Sequence, residues 1–376
     1  MIKRNYIIFF LIVQLLSSCI TQFIPQITEE KELLVVQGLI TDQQETDTIK
    51  LSKSLPFGHV NEATPVSGSR VSISDNMGNS FGLIEIKNGT YITDVSNFRG
   101  IPGRYYTLHI NTNSDNLNYE SLPVEMKAVP PIDSLYYDKI VVEQPYENFK
   151  GIDACQIYLN TYDPSDNCKY YRWDYSETWE LRLLFDVPNQ TCWISDKSHA
   201  INIKSTVAFN EARINRLPVN YITNATDRLK TKYSILVNQY SLNADEFNYW
   251  EKIQNVAIQV GGLYDIIPSS IPSNIHCIEN PGKVVLGYFS VSAKSSKRIF
   301  IKDNFEGIIN QYANCVTDTI GTDKPVGINE TVWILVYHKC SIPCSSTFEI
   351  TTHRECADCT TRGTIIKPDF WTDDKK

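Results

Sequence analysis

The chain has 376 residues, 42% of them hydrophobic and 21% charged, the balance of a folded protein and not of a disordered one. The formal net charge is −8, and no Lys/Arg cluster offsets it, which argues against nucleic acid as a partner. At roughly 100–200 residues per domain the length points to two domains.

Residues 1–18 read as a signal peptide. Lys3 and Arg4 form a positive start, and the uncharged run Tyr6–Leu16 falls within the ~7–15 residues of a signal-peptide core. A membrane-spanning helix needs ~20 apolar residues. The string Leu16-Ser17-Ser18-Cys19 resembles the lipobox of bacterial lipoproteins, which implies cleavage before Cys19 and acylation, palmitate included, of its new N-terminus. The alternative is a plain secretory signal with an incidental cysteine. Each buried CH₂ of an acyl chain contributes about 0.8 kcal/mol, so two or three chains anchor stably where one does not. Residues 19–31 then read as a lipidated tether, able to span roughly 40 Å at ~3.3 Å per residue.

Residues 32–130 are dense in strand signals. Leu33–Ile40 (LLVVQGLI) is an apolar, β-branched run suited to a strand covered on both faces. Alternation follows around Ile49 and Leu51, then around Val71 and Ile73, the latter pair closed by the turn-rich Asp75–Asn79 (DNMGN). Short strands at roughly 8–12-residue spacing predict an immunoglobulin-like or transthyretin-like β-sandwich. Pro130-Pro131 reads as a stiff hinge at its end, since proline lacks a strand donor and restricts its predecessor.

Residues 131–376 predict a larger β-rich domain with at least one packed helix. In Tyr170–Phe185 the residues Tyr171, Trp173, Tyr175, Trp179, Leu181 and Leu183 share one face at period two, with Glu177 as the polar exception. Asn243 followed by Glu246 is a capping-box signature, after which Phe247, Trp250, Ile253 and Ala257 lie near one helical face and Gly261-Gly262 ends the helix.

Nine cysteines remain after Cys19, so at least one thiol has no intramolecular partner. An exported chain meets an oxidising compartment, which makes disulfides the default for Cys155, Cys168, Cys192, Cys277, Cys340, Cys344, Cys356 and Cys359. The preferred pairings are Cys155–Cys168, closing a short loop, and Cys192–Cys277. The tail pattern Cys340-x₃-Cys344 and Cys356-x₂-Cys359, with His338 and His353 alongside, also has the look of a zinc site, but export favours oxidation and no metal is assigned.

Catalytic templates are sparse. There is no H-E-x-x-H zinc-protease string, no P-loop and no dinucleotide-binding glycine motif. Glu177 and Glu180 alternate to opposite faces of one strand and cannot pair through that spacing. A buried Glu177 is either a functional carboxylate or the partner of an arginine. Twenty-one Tyr and six Trp could include a platform for a glycan or peptide, although aromatics also fill strand cores. Trp193 and Trp371, outside clear strands, stand as surface binding candidates. No cofactor is implied.

Several strings together carry a wider likeness. "LLVVQGLITDQ", "PVSGSRVSI", "GTYITDV", "YYTLHI" and "PPIDSLYY", then "YYRWDYSETWE", "KYSILVNQYSLNADEFNYWEKI" and "GYFSVSAKSSKRIFI", with "CADCTTRGTIIKPDFW" as a closing motif, resemble a Bacteroidota lipoprotein family catalogued as domain of unknown function 4249. Cys155 and Cys168 depart from its expected residues. The resemblance implies an outer-membrane lipoprotein, on its periplasmic or surface face, working beside TonB-dependent nutrient receptors. The expectation is therefore a non-enzymatic, lipid-anchored accessory that binds a ligand or the transporter. The alternatives are a surface adhesin or, third, a hydrolase with an unfamiliar site.

Overall fold

The computed structural model describes residues 32–54, 63–142, 152–183, 187–223, 225–259, 271–305, 318–320, 333–337 and 349–372. The signal peptide, Cys19, the tether, Gly261-Gly262, His338, Cys340 and Cys344 lie outside the described residues.

Ten strands come from the first segment. They are β1 (Leu34–Thr41), β2 (Thr48–Lys53), β3 (Thr64–Pro65), β4 (Arg70–Asp75) and β5 (Ser80–Gly82). After these run β6 (Ile84–Lys87), β7 (Thr90–Ile92), β8 (Tyr105–Asn111), β9 (Asn118–Ser121) and β10 (Val124–Glu125). The next segment holds β11 (Ile132–Val142), β12 (Ile152–Tyr162), β13 (Tyr170–Arg182), β14 (Thr191–Lys197), β15 (Asn202–Ser205), β16 (Arg213–Ile222) and β17 (Tyr233–Leu242). Helix α1 (Ala244–Gln259) precedes β18 (Ile275–Cys277), β19 (Val285–Ser292) and β20 (Lys294–Ile301). The tail carries β21 (Asp318–Ile320), β22 (Trp333–Tyr337), β23 (Glu349–His353) and a one-turn helix, α2 (Arg354–Ala357).

The protein is mainly β, as its strand signals predict. One sandwich packs the sheet β19-β1-β2-β7-β6 against the sheet β18-β9-β8-β4-β5, with β3 beside β2 and β10 beside β8. Val36, Ile49, Ile73, Tyr91, Leu108 and Phe289 fill the core between them. The Asp75–Asn79 turn forms as the sequence indicates. The Asp75 carboxylate accepts from the Met77 and Asn79 N–H groups at 3.0 Å each, and Gly78 takes φ +88°.

Residues 32–130 do not complete this sandwich alone. β19 joins β1 in parallel, Leu34 opposite Val285 through Thr41 opposite Ser292, and β18 pairs with β9. Parallel neighbours need a long crossover, and here that crossover contains every strand of the second sandwich except β20, which follows β19 directly. In the second sandwich, the sheet β11-β12-β16 faces the sheet β14-β13-β17-β20, and β15 also pairs with β13. Its core holds Leu135, Ile157, Tyr171, Trp173, Tyr233 and Ile235.

Pro130-Pro131 is a pinned crossing. Gln239 Nε2 donates to the Pro130 carbonyl at 2.8 Å, and Thr161 Oγ1 donates to the Pro131 carbonyl at 3.2 Å. The chain crosses again at Ala293, whose N–H donates to Ser241 Oγ at 3.0 Å while that hydroxyl donates to the Lys127 carbonyl at 2.5 Å. These neutral hydrogen bonds, worth about 0.5–1.5 kcal/mol each, hold the two sandwiches at their seam.

Candidate functional site

The outer face of the first sandwich explains why Leu33–Ile40 is apolar on both sides. Val36 and Ile40 enter the core, while Val35 and Leu39 turn outward into a cavity of about 550 Å³. That volume suits a small-molecule ligand. β1, β2 and β19 form its floor, with Leu286, Tyr288 and Ser290 contributed by β19. Helix α1 covers it through Tyr249, Trp250 and Ile253. Tyr249 packs on Tyr288 with ring centroids 4.7 Å apart, and Gln254 Nε2 donates to the Ile201 carbonyl at 2.6 Å. The helix therefore touches both sandwiches.

Arg172 reaches this cavity from β13. Its guanidinium carbon lies 4.8 Å from the Tyr240 ring centroid and 4.6 Å from that of Trp250. Such stacking holds a cation while leaving its N–H edge available. Arg172 makes no ion pair among the described residues, and its buried Nε has no hydrogen-bond partner. Lys50, exposed at the mouth, adds a second positive charge.

Glu246 departs from the capping-box expectation. The Asn243 side chain does accept from the Glu246 N–H at 2.8 Å, capping the helix. The Glu246 carboxyl instead points inward, fully buried, where Oε1 accepts from Trp250 Nε1 at 3.3 Å and Oε2 has no partner. Burial pushes its pKa up to about 7 against the pull of Ser290, Arg172 and Trp250. The carboxyl thus gives Arg172 little compensating charge below neutral pH.

Glu177 takes the arginine-paired role. It is 2% exposed, with Oε1 at 2.9 Å from Arg228 Nη1 and Oε2 accepting from Tyr233 Oη at 2.6 Å. Asn220 donates to the same Oε2 at 3.3 Å. Glu177 does not line the cavity.

Trp193 and Trp371 are brought together, but not as a surface platform. Trp193 lies inside β14, its ring edge-on to that of Trp371 at 6.4 Å, and Trp371 is 5% exposed. Phe300, Phe370 and Lys232 surround Trp371. The tail is drawn down here because the Trp193 N–H donates to the Thr364 carbonyl at 2.8 Å and Arg362 pairs with the buried Asp227 at 2.8 Å.

The expected cysteine pairings also change. Cys192 is bonded to Cys359, not Cys277, and Cys155, Cys168 and Cys277 are buried free thiols. Cys155 and Cys168 belong to the core of the second sandwich and Cys277 to that of the first, where cysteine acts as a small apolar side chain. Cys356 is disulfide-bonded too, so both tail thiols among the described residues are oxidised. Among the described residues no group of three or more side chains is placed to hold a metal.

One catalytic spacing does occur. Gly78-Asn79-Ser80-Phe81-Gly82 fits G-x-S-x-G, but it lies in the β4–β5 hairpin with Ser80 exposed. A nucleophile elbow joins a strand to a helix. The 270 Å³ cavity beside Ser80 is lined by Asp94, Asn97 and Phe98 but by no histidine among the described residues.

The arrangement defines a two-sandwich β protein with a helix-covered cavity of ligand size. Residues 20–298 match the family model described as "Domain of unknown function (DUF4249)", and the chain belongs to that family. The match covers the first sandwich, the second as far as the middle of β20, and every residue of the cavity named above, and ends before the Cys356–Trp371 motif. No functionally curated protein matches the chain. Among the described residues no helix is long and apolar enough to cross a membrane.

Proposed function

We propose that this protein is a non-enzymatic lipoprotein, anchored to the outer membrane through Cys19, that binds a ligand for a TonB-dependent uptake system. The observation that carries the binding role is the cavity under α1, with aromatic walls and a stacked, unpaired Arg172. A mostly apolar cavity with a few placed polar groups is the usual form of a small-molecule site. Membrane anchoring is supported by the lipobox-like string, and the transporter partnership by the resemblance to lipoproteins found with such receptors. The test is co-purification from detergent-solubilised outer membranes, with protease treatment of intact cells to establish the exposed face. Recovery of a TonB-dependent receptor with the wild-type chain, and loss of membrane association in Cys19→Ala, is the expected result. A chain that fractionates with membranes but repeatedly recovers no such receptor would remove the uptake role.

A further inference from the structure

Arg172 is the most informative group in the cavity. Arg172 is half-buried, and burying even part of a guanidinium is costly unless an acceptor or anion meets it. Its guanidinium lies over the rings of Tyr240 and Trp250, at 4.8 and 4.6 Å, and stacking of this kind leaves the N–H edge to bind. No carboxylate of the described chain lies within ion-pair distance, and Nε is buried without a partner. Glu246, an acidic neighbour of Arg172, is turned toward Trp250 and Ser290. Beyond Arg172 the lining is mostly apolar, with Val35, Leu39, Leu286, Ile253 and the ring of Tyr288, and Gln37, Thr48 and Ser290 add neutral polar groups. The second cation, Lys50, stands at the mouth with no acidic partner among the described residues.

We infer that the cavity takes a carboxylate with an apolar body, its head on the Arg172 edge and its body along the β1–β19 floor beneath α1. This inference rests on the ligand-binding reading above and supplies its chemical class. A charge-assisted bond from the guanidinium edge to a carboxylate is among the stronger polar contacts a protein makes. The mostly apolar lining favours a ligand with an apolar body over a small hydrophilic anion, which would gain the cation but leave the walls unfilled. A neutral or cationic ligand of the same shape leaves Arg172 unpaired, and a cation adds repulsion.

Isothermal titration calorimetry on the full chain in nanodiscs of zwitterionic lipid tests this with matched probes: 4-phenylbutyrate, 4-phenylbutanol and 4-phenylbutylamine. A second carboxylate source, the peptide acetyl-Leu-Leu-Phe with its free C-terminus, is set against its C-terminal amide. The expected order is acid well above alcohol, and amine weakest. Arg172→Gln should weaken the binding acid by about tenfold or more while leaving the alcohol within about twofold. Preference for phenylbutyrate identifies a free acid as the source, and preference for the peptide acid identifies a chain terminus; either supports the inference. Equal binding of acid and alcohol overturns the carboxylate assignment but leaves the cavity a ligand site. Failure of all five probes to bind overturns the inference, while the uptake role is still judged by receptor co-purification. The wild-type acid–alcohol comparison needs no variant, so a poorly folding Arg172→Gln chain does not obscure the answer.

Discussion

Val36 pairs in parallel register with Gly287, so closely that a Cβ on the glycine would sit 2.0 Å from the Val36 carbonyl oxygen. Gly287 also takes φ +87°, a left-handed backbone that side chains disfavour by about 1–2 kcal/mol. The contact joins the first described strand to one that follows β11 to β17 of the second sandwich. Gly287→Ala should therefore cost more than about 2 kcal/mol, seen as a lower urea midpoint. Gly78→Ala is the control: it has a similar φ of +88° with no atom within 4 Å of the added Cβ, and should cost only the backbone strain. Equal losses for the two would show that the β1–β19 approach is not tight.

Thiol chemistry should follow burial. Cys155 and Cys168 have pKa values pushed up to about 12, mainly by burial, so neither forms a reactive thiolate near neutral pH. Native protein should leave Cys155, Cys168 and Cys277 unmodified by iodoacetamide at pH 8. Unfolding without reductant should expose all three. Peptide mapping should recover the Cys192 peptide linked to that of Cys359. A linked Cys155–Cys168 pair would contradict the fold of the second sandwich.

The buried carboxyls give stability a defined pH slope. The Glu246 pKa rises from 4.5 to about 7 on folding, driven by desolvation, and Asp47 rises from 3.8 to about 7 for the same reason. An acid raised by folding holds its proton longer in the native state. Its contribution is complete below the unfolded value and is lost as pH climbs through about 7. Arg172 and Tyr288 are the charged and titratable neighbours facing Glu246 from β13 and β19. Glu246→Gln should flatten the fall in unfolding free energy between about pH 4.5 and 7, by at most on the order of 3 kcal/mol at ~1.36 kcal/mol per pH unit. Asp75 and Asp163 have lowered values, and the stability they add is lost at acid pH instead. An unchanged slope in Glu246→Gln would mean that this carboxyl is not buried neutral.

Removing Arg228 should be more damaging than removing its hydroxyl neighbour. Arg228→Met strands the Glu177 charge inside the second sandwich, a loss of about 3–5 kcal/mol by analogy with other buried pairs. Tyr233→Phe deletes one hydrogen bond to a carboxylate and should cost about 1.5–3 kcal/mol. Chemical denaturation of the two variants measures the difference. A larger loss for Tyr233→Phe would show that Arg228 leaves Glu177 solvated.

Local pattern made much of this fold readable. Val71 and Ile73 alternate into the core as expected, and Tyr171 and Trp173 occupy the inner face of β13. The two-sided apolarity of Leu33–Ile40 is explained by a core on one side and the cavity on the other. What stayed hidden depends on distant partners. Nothing near Gly287 in sequence announces Val36, because the pairing is set by the return of the chain to the first sandwich after α1, before β20 completes the second. Glu246 satisfies a capping pattern, yet its side chain is redirected because Trp250 and Ser290 offer partners only the tertiary structure creates. Trp371 lacks a strand context of its own and becomes buried through the tail's attachment to β14. Arg172 sits on the outward face of β13, where periodicity alone implies a solvated charge.

The central claim is that ligand binds beneath α1, between the β1–β19 floor and Arg172. Photolabelling with a diazirine-bearing phenylbutyrate, followed by peptide mapping, locates that ligand without presuming which variant matters. The expected adducts fall on peptides carrying Tyr249, Trp250, Ile253 and Tyr288, and excess unlabelled phenylbutyrate suppresses them. Saturable labelling centred instead on Phe370 and Trp371, or on the Ser80 hairpin, would contradict the assignment of the site.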